Sequence, residues 1–121
     1  MKSILLVEDD QFLIDIYHTK LKEAGFEVEV TSGGEECLRK LREKVPDLMI
    51  LDIVLPKLDG WEILREIRSD EKLKDLKVVV ISNLSHKSEI EKGKRMGVLK
   101  YMIKAHYTPS EIVSQIKEIL K

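Results

Sequence analysis

The chain holds a single cysteine, Cys37, among its 121 residues. No internal disulfide can therefore staple it, and a reducing compartment suits it. No apolar run approaches the roughly 20 residues that a membrane-spanning helix needs. The first residues lead straight into a strand-like run and do not resemble a signal peptide. Net charge is only −1, which gives no electrostatic reason to expect direct binding of nucleic acid. Neither a P-loop nor a G-x-G-x-x-G turn is present, so a nucleotide-binding role has no motif behind it. His18, His86 and His106 have no partners at ligand spacing, which removes a zinc site. No linker, repeat or low-complexity tract divides the chain. What remains is a globular composition, 43% hydrophobic and 36% charged. Its length suits one domain over residues 1–121 with a real core. The expectation is a cytoplasmic protein with no membrane attachment.

Strand-like and helix-like segments alternate strictly. Residues 3–8, 48–52, 78–81 and 99–103 are short apolar runs of the kind covered on both faces in a parallel sheet. Phe26, Val28 and Val30 alternate with Glu27 and Glu29, which marks a half-exposed edge strand. Between these lie helical patterns. Phe12, Leu13, Ile16, Tyr17 and Leu21 recur at helical spacing before Gly25, and Ser32 with Glu35 predicts a capping box for a helix ending near 44. Asp59 with Glu62 caps a helix over 60–69 that buries Trp61, and residues 86–96 form a polar helix ending at Gly97. Thr108, Pro109 and Glu111 open the last helix. Five strands and five helices in alternation predict an α/β, doubly wound parallel sheet.

The chemistry collects where the strands stop. Glu8 and Asp9 follow Ile4-Leu5-Leu6-Val7, Asp52 closes Leu48–Leu51, Ser82 closes Val78–Ile81, and Lys104 follows Tyr101-Met102-Ile103. Open α/β sheets bind ligands at that carboxyl edge. Three carboxylates there would repel one another unless a hard cation joined them, and Mg²⁺ is the natural candidate. Lys104 and Ser82 could then contact a phosphate. Each residue alone also has a plain structural reading: Asp9 or Asp10 as a helix cap, Glu8 as a solvated loop carboxylate.

These pieces together resemble the receiver domain of two-component response regulators, from residue 3 to 120. The resemblance rests on Leu6-Val7-Glu8-Asp9-Asp10, on Leu51-Asp52-Ile53-Val54-Leu55-Pro56-Lys57-Leu58-Asp59-Gly60, on Ile81-Ser82, and on Lys100-Tyr101-Met102-Ile103-Lys104. It implies a flavodoxin-like, CheY-like fold with strand order 2-1-3-4-5. It also implies a phosphoacceptor, Asp52, and a metal site of Glu8, Asp9, Asp52 and the Val54 carbonyl, holding Mg²⁺ or Mn²⁺. Phosphate contacts would come from Ser82, Asn83, Lys104 and Ile53, and a switch from Ser82 and Tyr101. The implied partners are a histidine kinase or phosphotransfer protein and a downstream protein at the face of the fourth helix, fifth strand and last helix. The protein would be a monomer or a phosphorylation-dependent dimer, free-standing or part of a longer regulator, and would act on itself without turning over external substrates. Ala105 replaces the proline usual after the lysine, so a trans peptide bond is expected there. Asn83 stands where a very small residue is usual. The rival class, aspartate-nucleophile phosphohydrolases, would need an acid at position 54, and valine cannot supply it.

Overall fold

The apolar runs are rich in Val, Ile and Leu, too short for helices, and bounded by polar or turn residues, so they form strands. In the computed structural model, which describes residues 1–121, these strands are β1 (Ser3–Val7), β2 (Glu27–Thr31), β3 (Leu48–Asp52), β4 (Val78–Ser82) and β5 (Lys100–Ile103). They make one parallel sheet in the order β2-β1-β3-β4-β5. Helices α1 (Gln11–Glu23), α2 (Gly34–Glu43), α3 (Gly60–Ser69), α4 (Lys87–Arg95) and α5 (Pro109–Ile119) alternate with them. The strand order reverses at β1, which has β2 on one side and β3 on the other. Chains leaving β1 and β3 diverge there and leave a crevice at the carboxyl edge.

Side chains alternate across the sheet and build two cores. Leu5, Val7, Met49, Leu51, Val78 and Val80 pack with α2 and α3 on one face. Ile4, Leu6, Leu48, Ile50, Val79 and Ile81 pack with α1 and α5 on the other. Burial on both faces explains why β1, β3 and β4 read as continuous apolar runs. β2 is an edge strand, with Glu27 and Glu29 exposed, as its alternation predicts. Lys40 pairs with Glu29 at 3.0 Å and Lys44 with Glu27 at 3.3 Å.

Most helix ends follow the expected chemistry. Asp59 accepts from Glu62 N at the start of α3, and Thr108 with Glu111 forms a reciprocal capping box on α5. Gly25 takes a left-handed φ of 95° just after α1. Two expectations fail. α2 begins at Gly34 with Gly33 as its cap and no side-chain cap bond, so Ser32 and Glu35 form no capping box. Tertiary packing sets that start: a Cβ on Gly34 would lie 2.7 Å from Leu58 Cδ2. Phe12, expected in the apolar stripe of α1, is 72% exposed, and the helix buries Ile14, Tyr17 and Leu21 instead. No helix is long and apolar enough to cross a membrane.

α3 and α4 lie on the same face but differ in attachment. α3 buries Trp61, Ile63, Leu64 and Ile67, whereas α4 buries only Gly93. α4 is tied instead by polar contacts. Trp61 Nε1 donates to Glu89 at 2.7 Å, the Lys92 ammonium lies 4.8 Å from the Trp61 ring centre, and Arg68 Nε donates to Met96 O at 2.8 Å.

Candidate functional site

Parallel strands in register end on one edge, so β1, β3, β4 and β5 deliver Glu8, Asp52, Ser82 and Lys104 to the same place. Glu8 and Ser82 are fully buried and Asp52 nearly so. Glu8 is therefore no solvated loop carboxylate. Its backbone N–H extends the pairing of β1 with β2 by donating to Thr31 O at 3.1 Å. Its Oε2 accepts from the N–H groups of Asp9 and Asp10 at 3.1 and 3.2 Å. The capping question of the acidic run is also resolved. Asp10 caps α1 by accepting from Phe12 N and Leu13 N, which leaves Asp9 exposed at the rim.

Lys104 closes the site electrostatically. Its ammonium lies 2.7 Å from Asp52 Oδ2 and 2.8 Å from Glu8 Oε1. Asp52 Oδ1 accepts from Val54 N–H at 3.1 Å. Burial pushes the Glu8 carboxyl above its ordinary range; Lys104 opposes this, and the neighbouring Asp52 charge adds to it. Burial alone would lower Lys104, but its hydrogen bond to Asp52 and its close ion pair with Glu8 outweigh it and hold the ammonium above its usual value. Lys104 thus stays charged at neutral pH.

One ammonium between two buried carboxylates leaves the cluster net negative, and Asp9 adds a third acid. The ligand oxygens of Glu8, Asp9 and Asp52 lie within 4.8 Å of one another. Glu8 Oε1 has no hydrogen-bond partner, because Lys104 approaches it closely but off the line of a good hydrogen bond. A buried oxygen in that condition is costly. All of the donors are oxygens, so a hard divalent cation such as Mg²⁺ or Mn²⁺ fits the set.

The remaining predicted residues fall around this cluster. Val54 is 57% exposed beside Asp52, while Ile53 is buried and its carbonyl accepts from Gly60 N at 2.8 Å. This contact explains the glycine. A Cβ on Gly60 would lie 2.6 Å from Ile53 Cα and 2.8 Å from Asp52 O, so any larger residue would displace the Asp52 segment. Asn83 is exposed at the mouth. The Ser82 hydroxyl accepts from Leu84 N–H at 3.2 Å. Tyr101 packs against the α3 core, with its hydroxyl donating to Leu84 O at 2.7 Å. All peptide bonds are trans, including Lys104–Ala105, and Lys104–His106 form a 3₁₀ turn.

Three features had no separate sequence signal. Leu84 is the shared backbone partner of both Ser82 and Tyr101, a role that no side-chain pattern encodes. Lys57, in the loop after Asp52, has a left-handed φ of 66°, a strained position for a residue with a Cβ. Phe12 and Val54 place exposed apolar surface near the acidic rim.

Comparison with known proteins agrees with this geometry. Residues 4–117 match the response regulator receiver domain family. The alkaline phosphatase synthesis transcriptional regulatory protein PhoP of Bacillus subtilis is 33% identical, over 99% of this chain and 49% of its own length. The chain thus spans about half the length of the curated relatives it matches. The manganese-bound response regulator Rcp1 superposes with a TM-score of 0.89 at 27% identity, covering 99% of this chain and 94% of that one. The phosphorylated cyanobacterial phytochrome response regulator RcpA gives 0.83 at 34% identity, covering 98% and 90%. The flavodoxin-like, CheY-like winding expected from the sequence is the one these structures share.

Proposed function

The chain belongs to the response regulator receiver domain family of two-component systems, and from that premise we propose that it is a receiver over residues 1–121 that takes a phosphoryl group onto Asp52 from the phosphohistidine of a histidine kinase or phosphotransfer protein. The observation that carries this reading is the Asp52 carboxylate at a strand end, 2.7 Å from Lys104 and within a three-carboxylate cluster that fits a divalent cation. An Asp52 oxygen attacks phosphorus, the O–P bond forms as the P–N bond breaks, and the electron pair returns to the imidazole. Glu8, Asp9, Asp52 and the Val54 carbonyl would hold Mg²⁺ or Mn²⁺, which when bound supplies positive charge for the phosphoryl oxygens.

The chain's own residues do the rest. Phosphoryl transfer needs positioning and charge neutralisation more than proton transfer. Lys104 neutralises one phosphoryl oxygen, and the Ser82 hydroxyl with the N–H groups of Ile53, Val54 and Asn83 can donate to others. Drawing Ser82 onto the phosphate would cost its contact with Leu84 N–H. Since Leu84 O also holds Tyr101, that change reaches Tyr101 and then the sparsely buried α4. The α4–β5–α5 face is then the surface presented to a downstream protein, as a monomer or a phosphorylation-dependent dimer. The protein is a cytoplasmic switch that modifies itself and turns over no external substrate.

Acetyl phosphate with Mg²⁺ should add one phosphate, read by intact mass, while Asp52→Asn keeps the fold and takes none. Equal labelling of Asp52→Asn would refute the assignment. Loss of phosphate should be slow, because Val54, exposed over Asp52, cannot orient a water, and Leu84 packs toward the core. Val54→Asn should speed decay severalfold, up to about tenfold, and more than Leu84→Glu does. A decay rate unmoved by Val54→Asn would shift the water's guidance to Asn83.

A further inference from the structure

We propose that a groove at the amino edge of β4 and β5 is a docking site for an acidic segment of a partner protein. The groove encloses about 640 Å³ and runs between the C-terminal ends of α3 and α4 and residues 74–77. It carries five cations, Arg65, Arg68, Lys74, Lys77 and Arg95, against one acid, Asp75. The whole chain balances 21 Lys and Arg against 22 Asp and Glu, so this excess is local. Lys74 pairs with Glu71 at 3.2 Å, but Arg65, Arg68, Lys77 and Arg95 make no ion pair within 4.0 Å.

Arg68 sets the field of the groove. Its guanidinium donates to four backbone carbonyls, those of Met96, Lys74, Leu76 and Gly97, at 2.8 to 3.2 Å. Neutral carbonyls satisfy its N–H groups without cancelling its charge. With four of its five N–H groups used, Arg68 cannot offer the bidentate fork that binds a free phosphate. It supplies fixed positive potential, while Arg65, Lys77 and Arg95 remain available for direct contact.

The shape and lining choose the occupant. The groove is open and lined mainly by charged and polar residues, unlike the enclosed apolar pocket of a small-molecule site. No aromatic ring lines it, so the stacking surface used for single-stranded nucleic acid is missing. Leu99, 53% exposed, and half-buried Met96 give it an apolar strip beside the cations. An extended segment bearing carboxylates around one apolar side chain matches both features: charge steers it and Leu99 anchors it. The site lies at the opposite edge of the sheet from Asp52.

The test uses the full unphosphorylated chain, observed by NMR amide shifts during titration with a short synthetic peptide of glutamates around one leucine. Amides of Arg65, Lys77, Arg95 and Leu99 should move together, and added salt should weaken binding. Reversing Arg65, Lys77 and Arg95 to Glu together should weaken binding about tenfold or more. Reversing Lys22, Lys87 and Lys117 to Glu, the same change in net charge outside the groove, should leave it within about twofold. Thermal melting confirms that both variants fold. Equal losses in the two variants would overturn the proposal by reducing it to net charge. So would the absence of peptide binding, or tighter binding of inorganic phosphate or an oligothymidine at the same residues.

Discussion

At the carboxyl edge of the sheet two buried carboxylates share one ammonium, whereas at the amino edge one guanidinium is shared by four neutral carbonyls. Lys104 and Arg68 are both partly buried cations, yet they sit in opposite electrical situations. Lys104 offsets formal charge and still leaves Glu8 Oε1 without a hydrogen-bond partner. Arg68 offsets only carbonyl dipoles, and its own charge makes no ion pair. The amino edge is closed as structure: Arg68 joins α3, residues 74–76 and the end of α4, and Asp47 ties the start of β1. The carboxyl edge is left short of positive charge, which is the condition a divalent cation would relieve.

Removing the charge partner at each edge separates the two cases. Lys104→Met leaves Glu8 and Asp52 buried without a counter-charge, and should cost about 3–4 kcal/mol at neutral pH. Burial and the Asp52 charge already hold the Glu8 carboxyl above its ordinary range, and without the ammonium that opposes them it rises further. Its contribution to stability is present in acid and lost as pH rises through the folded value. The deficit should therefore shrink below about pH 5, and Mg²⁺ should recover part of it at pH 7. A deficit independent of both pH and Mg²⁺ would mean that Lys104 acts by packing alone, and the contrast between the edges would fail.

Arg68→Ala should cost less, about 2 kcal/mol, because the carbonyls it leaves can partly reach water. Carbonyls do not titrate, so this loss should stay flat between roughly pH 5 and 9. Chemical denaturation at two pH values checks it, and a strongly pH-dependent loss would show that Arg68 answers a carboxylate such as Asp75. Asp47→Ala should have the smallest effect, no more than about 1 kcal/mol for an exposed carboxylate. The Ser3 N–H, at 2.7 Å, holds the Asp47 carboxyl below its ordinary range. Its contribution is present above the unfolded pKa and lost as pH falls through the folded one. The gap to the parent should close in acid because the parent weakens, whereas with Lys104→Met it closes because the variant recovers.

The carboxyl edge was legible from sequence because its residues terminate apolar runs, and parallel strands bring such ends together whatever their separation along the chain. Asp52, Ser82 and Lys104 could be placed this way without knowing any contact. The state of Glu8 could not, since its backbone continues the pairing with Thr31 on a neighbouring strand, a contact between residues far apart in the chain. The amino edge was almost silent. Arg68 bonds to carbonyls as far as 29 residues away, and a carbonyl belongs to every residue, so no pattern of side chains announces it. The start of α2 failed for a related reason: the local signal at Ser32 and Glu35 lost to a packing contact between Gly34 and Leu58. Local chemistry set the helix ends at Asp59 and Thr108, where nothing distant competed.

The edge strand β2 carries a consequence for how the protein behaves in a crowded solution. A bare strand edge is a template on which another chain can add itself, the first step toward aggregates. Here the exposed residues of β2 are Glu27 and Glu29, held by Lys44 just after α2 and by Lys40 within it. An incoming strand would have to lie along a row of hydrated charges and disturb two ion pairs before forming its ladder. The most adhesive border of the sheet is thereby guarded.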